Sequence, residues 1–178
     1  MTPLHEVIIN NKTTVNPIWI MRQAGRYLPE FREIRKENSN FIELCLNHKL
    51  SSEITLQPIK RFDLDAAIIF SDILMLPYGL NQKVEFKKNF GPTLGNLDIK
   101  SMSKIDEIDF VEKIYPVYKA IKSVSLEMNS KNKNTIGFVG APWTLLVYMI
   151  NQQSPKKNVK KDFFKDDFLI NRILLIIE

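Results

Sequence analysis

Cysteine, histidine and glycine are scarce in this chain of 178 residues, which has one cysteine, two histidines and six glycines. The lone cysteine, Cys45, excludes an internal disulfide and a cysteine-cluster metal site within the chain, and a chain without disulfides suits a reducing cytosol. Cys45 lies in an apolar stretch, which predicts a small buried side chain. We expect the histidines, His5 and His48, to be surface or packing residues.

Long hydrophobic runs are also absent. The longest, Ala141 to Ile150, is too short to span a bilayer and contains Pro142. The N-terminal stretch from Met1 to Thr14 contains Glu6 and no long apolar core, so it does not resemble a secretory signal. The formal charge of +5 comes from lysines spread along the chain, without a stripe of basic and aromatic residues. We therefore expect a soluble, cytoplasmic protein that binds neither nucleic acid nor membrane.

Arginine is rare, and its distribution is uneven. Only six of the 25 basic residues are arginines, and four of those six lie in one short segment, at positions Arg22, Arg26, Arg32 and Arg35. A guanidinium group presents a planar fork of donors that matches a carboxylate or a phosphate with two hydrogen bonds, which lysine cannot do. The segment therefore predicts a binding site for an anion.

The four arginines do not carry this prediction equally. Arg22 and Arg26 have no acidic residue within three positions and lie on either side of Gly25, where backbone and ligand can approach closely. Arg32 lies on a predicted helix with Glu30 and Glu33 close by, so surface pairing with these acids explains it.

Short apolar runs alternate with helical patterns along the chain, which predicts an α/β fold with βαβ units and a parallel sheet. The predicted strands are Pro17–Met21, Asp65–Phe70 and Thr135–Val139. Each run is nearly all apolar, as expected of strands that are buried on both faces.

Helical periodicity and capping signals place the remaining elements. The predicted helices are Glu30–Glu37, Phe41–Asn47, Ser52–Phe62 with Ser51 and Ser52 as cap and Pro58 as a kink, Asp106–Met128, and a last helix capped by Asp166 and Asp167. A short strand at Val84–Lys87 is followed by a turn at Gly91–Thr93. The lysine-rich stretches Asn129–Asn134 and Lys156–Lys161 are expected to be solvated loops.

The end of the chain has no helix terminator after Ile177, and a closed βα barrel takes about 250 residues. We therefore expect residues 1–178 to form a single domain that is the truncated first half of a larger barrel.

Chemically useful residues follow each predicted strand: Arg22 the first, Asp72 the second, and Gly140–Pro142 the third. Sites in parallel α/β folds form at the carboxyl ends of the strands, so we expect these positions to converge. Asp72 fits either a site carboxylate or a cap of the turn that follows it. Tyr148, one helical turn beyond Thr144, fits a core residue on sequence alone.

One family shares these motifs. The segment Ile18–Arg32, which reads IWIMRQAGRYLPEFR, is similar to the N-terminal signature of the uroporphyrinogen decarboxylases of the haem pathway. The resemblance is strengthened by Leu56–Pro58 with Arg61–Phe62, by Asp65–Leu74 and by Gly137–Leu145. These blocks occur in the family's order, which makes the resemblance specific.

The resemblance implies the first half of a distorted (β/α)8 TIM-type barrel that pairs as a homodimer and takes no cofactor or metal. It implies an enzyme that converts uroporphyrinogen to coproporphyrinogen by removing four carboxylates as carbon dioxide. Arg22, Arg26 and Arg35 would bind substrate carboxylates, and Asp72 would accept hydrogen bonds from the pyrrole N–H groups. Tyr148 would line the cleft, and the catalytic residues would be Asp72 and Arg22.

The chain also departs from the family pattern. Ile150–Gln153 replaces an acidic residue and glycines, and Pro77–Asn81 replaces a turn that usually contains alanine or glycine. A serine and a histidine that the family supplies from its second half lie beyond Glu178, so we expect this chain alone to be inactive. Two alternatives remain: a corrinoid-dependent methyltransferase of the same barrel superfamily, which binds zinc, and a non-catalytic fragment that binds anions or tetrapyrroles.

Overall fold

The protein has an α/β fold, as the sequence predicts. The structure, a computed structural model, describes residues 1–87, 90–155, 159 and 165–177. Its elements in chain order are α1 (Pro3–Ile8), α2 (Pro29–Glu37), α3 (Phe41–Leu46), α4 (His48–Arg61), β1 (Ala66–Ile68), α5 (Met75–Gly79), β2 (Val84–Lys87), β3 (Gly91–Leu94), α6 (Ile99–Met102), α7 (Glu107–Ser130), β4 (Asn134–Ile136), α8 (Pro142–Asn151) and α9 (Asp167–Ile177).

The chain divides into two compact units. Unit 1 comprises residues 1–71 and 115–138, and unit 2 comprises residues 72–114 and 139–178. Helix α7 contributes residues to both units.

A parallel pair of strands lies at the centre of unit 1. Strand β1 pairs with β4 in a register that runs from Ala66 opposite Asn134 to Ile68 opposite Ile136. Strand β1 lies within the second predicted strand, and the predicted parallel pairing is confirmed. Strand β4 overlaps only Thr135 and Ile136 of the third predicted strand, whose last residues, 137–139, are not strand. Apolar side chains from α4, β1 and α7 form one core against the sheet, with Leu56, Ala67, Ile69, Val124 and Met128 among its buried members.

The first predicted strand, Pro17–Met21, is wrong, because this segment has no regular secondary structure. Its backbone groups bond elsewhere: Ile18 N–H donates to the Asp65 side chain at 2.7 Å, and Ile20 N–H donates to the Gln23 side chain at 3.2 Å. Ile18, Ile20 and Met21 are 60, 59 and 73% exposed. The apolar run is therefore not a strand buried on both faces.

Helix α4 begins earlier than predicted. Asn47, and not Ser51 or Ser52, caps it by accepting a hydrogen bond from Leu50 N–H at 3.2 Å. Ser51 and Ser52 lie inside the helix, where their hydroxyls donate to the backbone oxygens of Phe70 at 2.6 Å and His48 at 2.7 Å. Pro58 lies inside the helix, as predicted.

Unit 2 contains an antiparallel hairpin and two apolar helices. Strand β2 matches its prediction, but Gly91–Thr93 belongs to its partner strand β3 and is not a turn. Asp166 caps α9 by accepting a hydrogen bond from Leu169 N–H at 3.0 Å, which confirms the predicted cap. Most of the predicted loop Lys156–Lys161 lies outside the described residues.

Among the described residues, every helix is too short or too polar to span a membrane.

Candidate functional site

Three of the predicted site residues, Arg22, Arg26 and Arg35, belong to unit 1. Arg22 and Arg26 are exposed and lie in the irregular segment that precedes α2, while Arg35 is half-buried in the last turn of α2. Among the described residues, none of the three forms an ion pair with a carboxylate. The charge of each of the three is therefore not neutralised by a carboxylate in the part of the chain that the structure describes.

Arg26 and Arg35 are close enough to interact electrostatically. Burial lowers the pKa of Arg35, and the neighbouring positive charge of Arg26 lowers it further. The Arg35 guanidinium donates to the backbone oxygens of Asn38 at 2.6 Å and Ser39 at 3.2 Å and lies 5.6 Å from the centre of the Phe41 ring. Arg26 and Arg35 thus lie within electrostatic range of each other and have no carboxylate partner among the described residues, an arrangement that an anion would stabilise.

Arg32 has a structural role, although not with the expected partners. Its Nη1 donates to the backbone oxygens of Arg26 at 2.9 Å and Tyr27 at 3.2 Å, so it supports the loop that carries Arg26. Glu30 instead accepts two hydrogen bonds from Arg61, at 3.1 and 2.9 Å.

Gly25 does not have the positive φ that would demand glycine. A Cβ atom there would lie 3.9 Å from the nearest Tyr27 ring carbon, which is an ordinary contact.

Asp72 and Tyr148 belong to unit 2. Asp72 is half-buried, and its Oδ1 accepts a hydrogen bond from Leu74 N–H at 2.8 Å, so it does cap the turn that leads into α5. Among the described residues, its second oxygen has no hydrogen-bond partner. Burial raises the pKa of Asp72, and the Leu74 N–H opposes this rise only partly. The cap therefore uses only one of the two oxygens of the Asp72 carboxyl group.

Tyr148 lies on α8 and is half-buried, so it is not fully part of a core. Its helix ends at Asn151, and Gln152 follows in the left-handed region, with φ at 59°. Gln152 lies in the segment Ile150–Gln153, where the family pattern leads us to expect an acidic residue and glycines, and glycine adopts such angles without a steric penalty.

The cysteine and the possible metal-binding side chains form no metal site in the part of the chain that the structure describes. Cys45 is completely buried, as predicted. Within the described ranges, no group of three or more histidine, cysteine, aspartate or glutamate side chains is placed to hold a metal ion.

Sequence reasoning missed one buried polar residue of the arginine segment, Gln23, which is 2% exposed. No sequence signal marks it, because glutamine side chains are mostly exposed in folded proteins.

The sequence of this chain matches a known protein family. The family profile of uroporphyrinogen decarboxylase (URO-D) matches residues 1–178. The chain is 47% identical over 144 residues to the uroporphyrinogen decarboxylase of Agrobacterium fabrum, which covers 80% of this chain and 42% of that protein. It is 43% identical over 166 residues to the enzyme of that name from Campylobacter jejuni, which covers 91% of this chain and 48% of the relative.

A similar match, 43% over 170 residues, links the chain to the uroporphyrinogen decarboxylase of Rickettsia conorii, with 94% of this chain and 48% of the relative covered. The chain thus spans about half the length of the curated relatives that it matches. Because the profile covers every residue and these identities extend over most of the chain, the chain belongs to the uroporphyrinogen decarboxylase family.

Proposed function

We propose that this chain supplies the N-terminal, substrate-binding part of a uroporphyrinogen decarboxylase. The reaction is the conversion of uroporphyrinogen III to coproporphyrinogen III by loss of four acetate carboxylates as carbon dioxide. The observation that carries the proposal is the set of arginines without carboxylate partners among the described residues, in which Arg26 lowers the pKa of Arg35.

The proposed substrate carries the negative charge that would pair with Arg22, Arg26 and Arg35. Uroporphyrinogen carries eight carboxylates, and each guanidinium can take one carboxylate through paired hydrogen bonds. An anion between Arg26 and Arg35 would relieve their repulsion, and the exposed Arg22 would take a further carboxylate. A structural role alone does not explain this arrangement, because Arg32 already supports the loop.

Asp72 is assigned to the chemical step. Loss of carbon dioxide from a pyrrole acetate releases an electron pair, and a pyrrole protonated at carbon can accept it. The protonated ring is cationic, so a fixed carboxylate beside it stabilises the charge that develops. The same burial that raises the pKa of Asp72 strengthens this interaction, because fewer waters screen the carboxylate.

Arg22 is assigned first to substrate binding and to the electrostatics of the site. Guanidinium groups stay protonated in proteins, so Arg22 is a poor source of the proton that the ring accepts. Tyr148 is assigned to the cleft beside the reacting acetate.

The architectural part of the proposal is that residues 1–178 form one domain, the first half of a (β/α)8 barrel. The family resemblance supports it, together with the parallel β1–β4 pair and the half-length match to the relatives. The proposal includes a cytoplasmic homodimer that works without a cofactor.

Binding of uroporphyrin III, the stable fluorescent octacarboxylate, tests this proposal. We expect the chain to quench or shift the porphyrin fluorescence on binding, and to bind coproporphyrin III, a tetracarboxylate, more weakly. Arg26→Gln should weaken uroporphyrin binding by about tenfold, the equivalent of roughly 1.4 kcal/mol.

The matched control is Arg61→Gln. It removes the same charge from unit 1, but Arg61 is already paired with Glu30. Equal losses in both variants would reduce the effect to net charge and contradict a specific site.

Turnover separates binding from catalysis. With reduced uroporphyrinogen as substrate, a polypeptide of residues 1–178 should bind without releasing carbon dioxide, because the resemblance places a serine and a histidine of the site in the other half. Appreciable release of carbon dioxide would refute this part, and stoichiometric zinc in the purified protein would favour a methyltransferase.

A further inference from the structure

Gln23 is the one fully buried polar residue between Met21 and Leu28, the segment that carries Arg22 and Arg26. It is 2% exposed, whereas both arginines and Met21 are exposed. Burial of an amide is costly unless its groups are hydrogen-bonded, so a buried glutamine in an exposed loop needs a reason.

The side-chain amide of Gln23 joins the loop to the sheet of unit 1. Its Nε2 donates to the backbone oxygen of Ala66, the first residue of β1, at 2.8 Å. Its Oε1 accepts from Ile20 N–H, within the loop, at 3.2 Å. One side chain thus connects two backbone segments, and each end of the amide has its own partner.

The backbone of Gln23 adds two further contacts. Its N–H donates to the oxygen of Ile20 at 3.0 Å, which closes a turn, and its own oxygen accepts a hydrogen bond from the Tyr27 hydroxyl. Arg22 precedes Gln23 directly, and Arg26 lies between Gln23 and Tyr27. The bonds of Gln23 therefore fix the backbone on both sides of the arginines.

We infer that Gln23 is a positioning residue, which sets the places of Arg22 and Arg26 for carboxylate binding without touching the ligand. This inference rests on the proposed function, because it assigns the two arginines to the substrate. It goes further in naming the contact between the Gln23 amide and Ala66 as the one that holds them.

Glutamate at this position would act as a titratable test of the contact. A neutral glutamate can reproduce both bonds, since its O–H donates to the Ala66 oxygen and its carbonyl oxygen accepts from Ile20. An ionised glutamate has no donor for Ala66 and places two oxygens against each other. Burial raises the pKa of a carboxyl group above about 4.3, so the switch falls in an accessible range.

The experiment measures the dissociation constant of uroporphyrin III between about pH 5 and about pH 8 for wild type and Gln23→Glu. At the acid end, the variant should bind within about twofold of wild type, and at the alkaline end about tenfold more weakly. Gln23→Met, which has similar volume but neither bond, should bind weakly at every pH.

Gln57→Glu is the matched control. Gln57 is also a buried glutamine of unit 1, at 4% exposed, but its amide has no hydrogen-bond partner among the described residues and lies on α4. The same substitution there introduces a buried carboxyl group and its pH-dependent destabilisation, yet it should leave the pH dependence of uroporphyrin binding as in wild type. An equal pH-dependent loss in Gln57→Glu would overturn the positioning role.

Hydrogen exchange gives a readout that needs no ligand. The Ile20 amide, which donates to Gln23, should exchange faster in Gln23→Met than in wild type, while amides of β1 keep their protection. Unchanged exchange at Ile20 would refute the inference. Failure of wild type to bind uroporphyrin, with exchange at Ile20 altered as expected, would refute the proposed function and leave the loop contact established.

Discussion

Replacement of Asp72 by asparagine should stabilise the folded chain at neutral pH. Burial raises the pKa of this carboxyl group, so its ionised form is less favourable in the folded than in the unfolded state. Asparagine removes the charge and keeps an oxygen that accepts from Leu74 N–H. The variant therefore loses the burial penalty and retains the cap.

The sign of the pH dependence follows from the raised pKa. Below the unfolded pKa of about 3.9, Asp72 is protonated in both states and its burial does not reduce the free energy of unfolding. As pH rises through the folded pKa, Asp72 ionises in the folded state and the wild-type protein loses stability. The advantage of Asp72→Asn should thus be absent in acid and grow with pH, by about 1.4 kcal/mol for each unit by which folding raises the pKa. Each kcal/mol corresponds to about 2–4 °C in melting temperature for a chain of this size.

Two further variants separate the effect of the cap on stability from the effect of the carboxylate charge. Asp72→Ala loses the cap as well, so it should be about 1 kcal/mol less stable than Asp72→Asn at every pH. Asp63→Asn should show the opposite pH dependence, because a hydrogen bond from Lys133 lowers the pKa of Asp63. Its wild-type carboxylate stabilises the fold above the unfolded pKa, and this contribution disappears as pH falls through the folded pKa.

The measurement is urea unfolding from about pH 4 to about pH 8, combined with an NMR titration of Asp72. Lower stability of Asp72→Asn at neutral pH, or an advantage that does not vary with pH, would refute the reasoning. In a chimera that joins residues 1–178 to the other half of the Campylobacter jejuni relative, the same variant should lower kcat by about 10²–10³-fold with little change in KM. Equal losses in both would contradict the role of Asp72 in the chemical step.

Three other substitutions test single contacts. Arg26→Lys keeps the charge but loses the two-point fork, and we expect uroporphyrin affinity to fall by about tenfold in a fluorescence titration; unchanged affinity would mean that charge alone suffices. Gly140→Ala would place a Cβ atom 2.7 Å from the Leu145 side chain, so urea unfolding should show a loss of about 1–3 kcal/mol. Gln152→Gly should raise stability by about 1 kcal/mol, because it relieves a left-handed backbone at φ 59°, and the bond from its side chain to Asn96 is exposed; a lower melting temperature would contradict that account.

The sequence predicts regular elements well where periodicity and caps agree. Asp166 caps α9 as predicted, and α7 lies within two residues of its expected start and end. Prediction fails where side chains compete for backbone groups. The apolar run at Pro17–Met21 reads as a strand, but Asp65 and Gln23 take its N–H groups, and neither bond is visible in a local pattern.

The candidate site is predictable to a similar extent. The uneven arginine distribution and the family motif locate Arg22, Arg26 and Arg35 before any coordinates are known. The interaction between Arg26 and Arg35 and the pairing of Arg61 with Glu30 depend on the fold, because the partners are separated by a loop or a whole helix. The sequence already assigns Arg32 a structural role, but its partners, the backbone oxygens of Arg26 and Tyr27, required the structure.

Hydrogen bonds join the segment that carries Arg22 and Arg26 to β1 and to Asp65 directly before it, and these bonds constrain when the segment can fold during synthesis. Ile18 and Asp65 are 47 residues apart, and Gln23 and the backbone of Ala66 are 43 apart. At about 5–20 residues per second, a ribosome would complete β1 roughly 2–9 s after the arginines. β1 itself pairs with β4, which is made later still. In the nascent chain, the loop that carries Arg22 and Arg26 is therefore made before its hydrogen-bond partner in β1, and the bond that fixes it cannot form until β1 has been made.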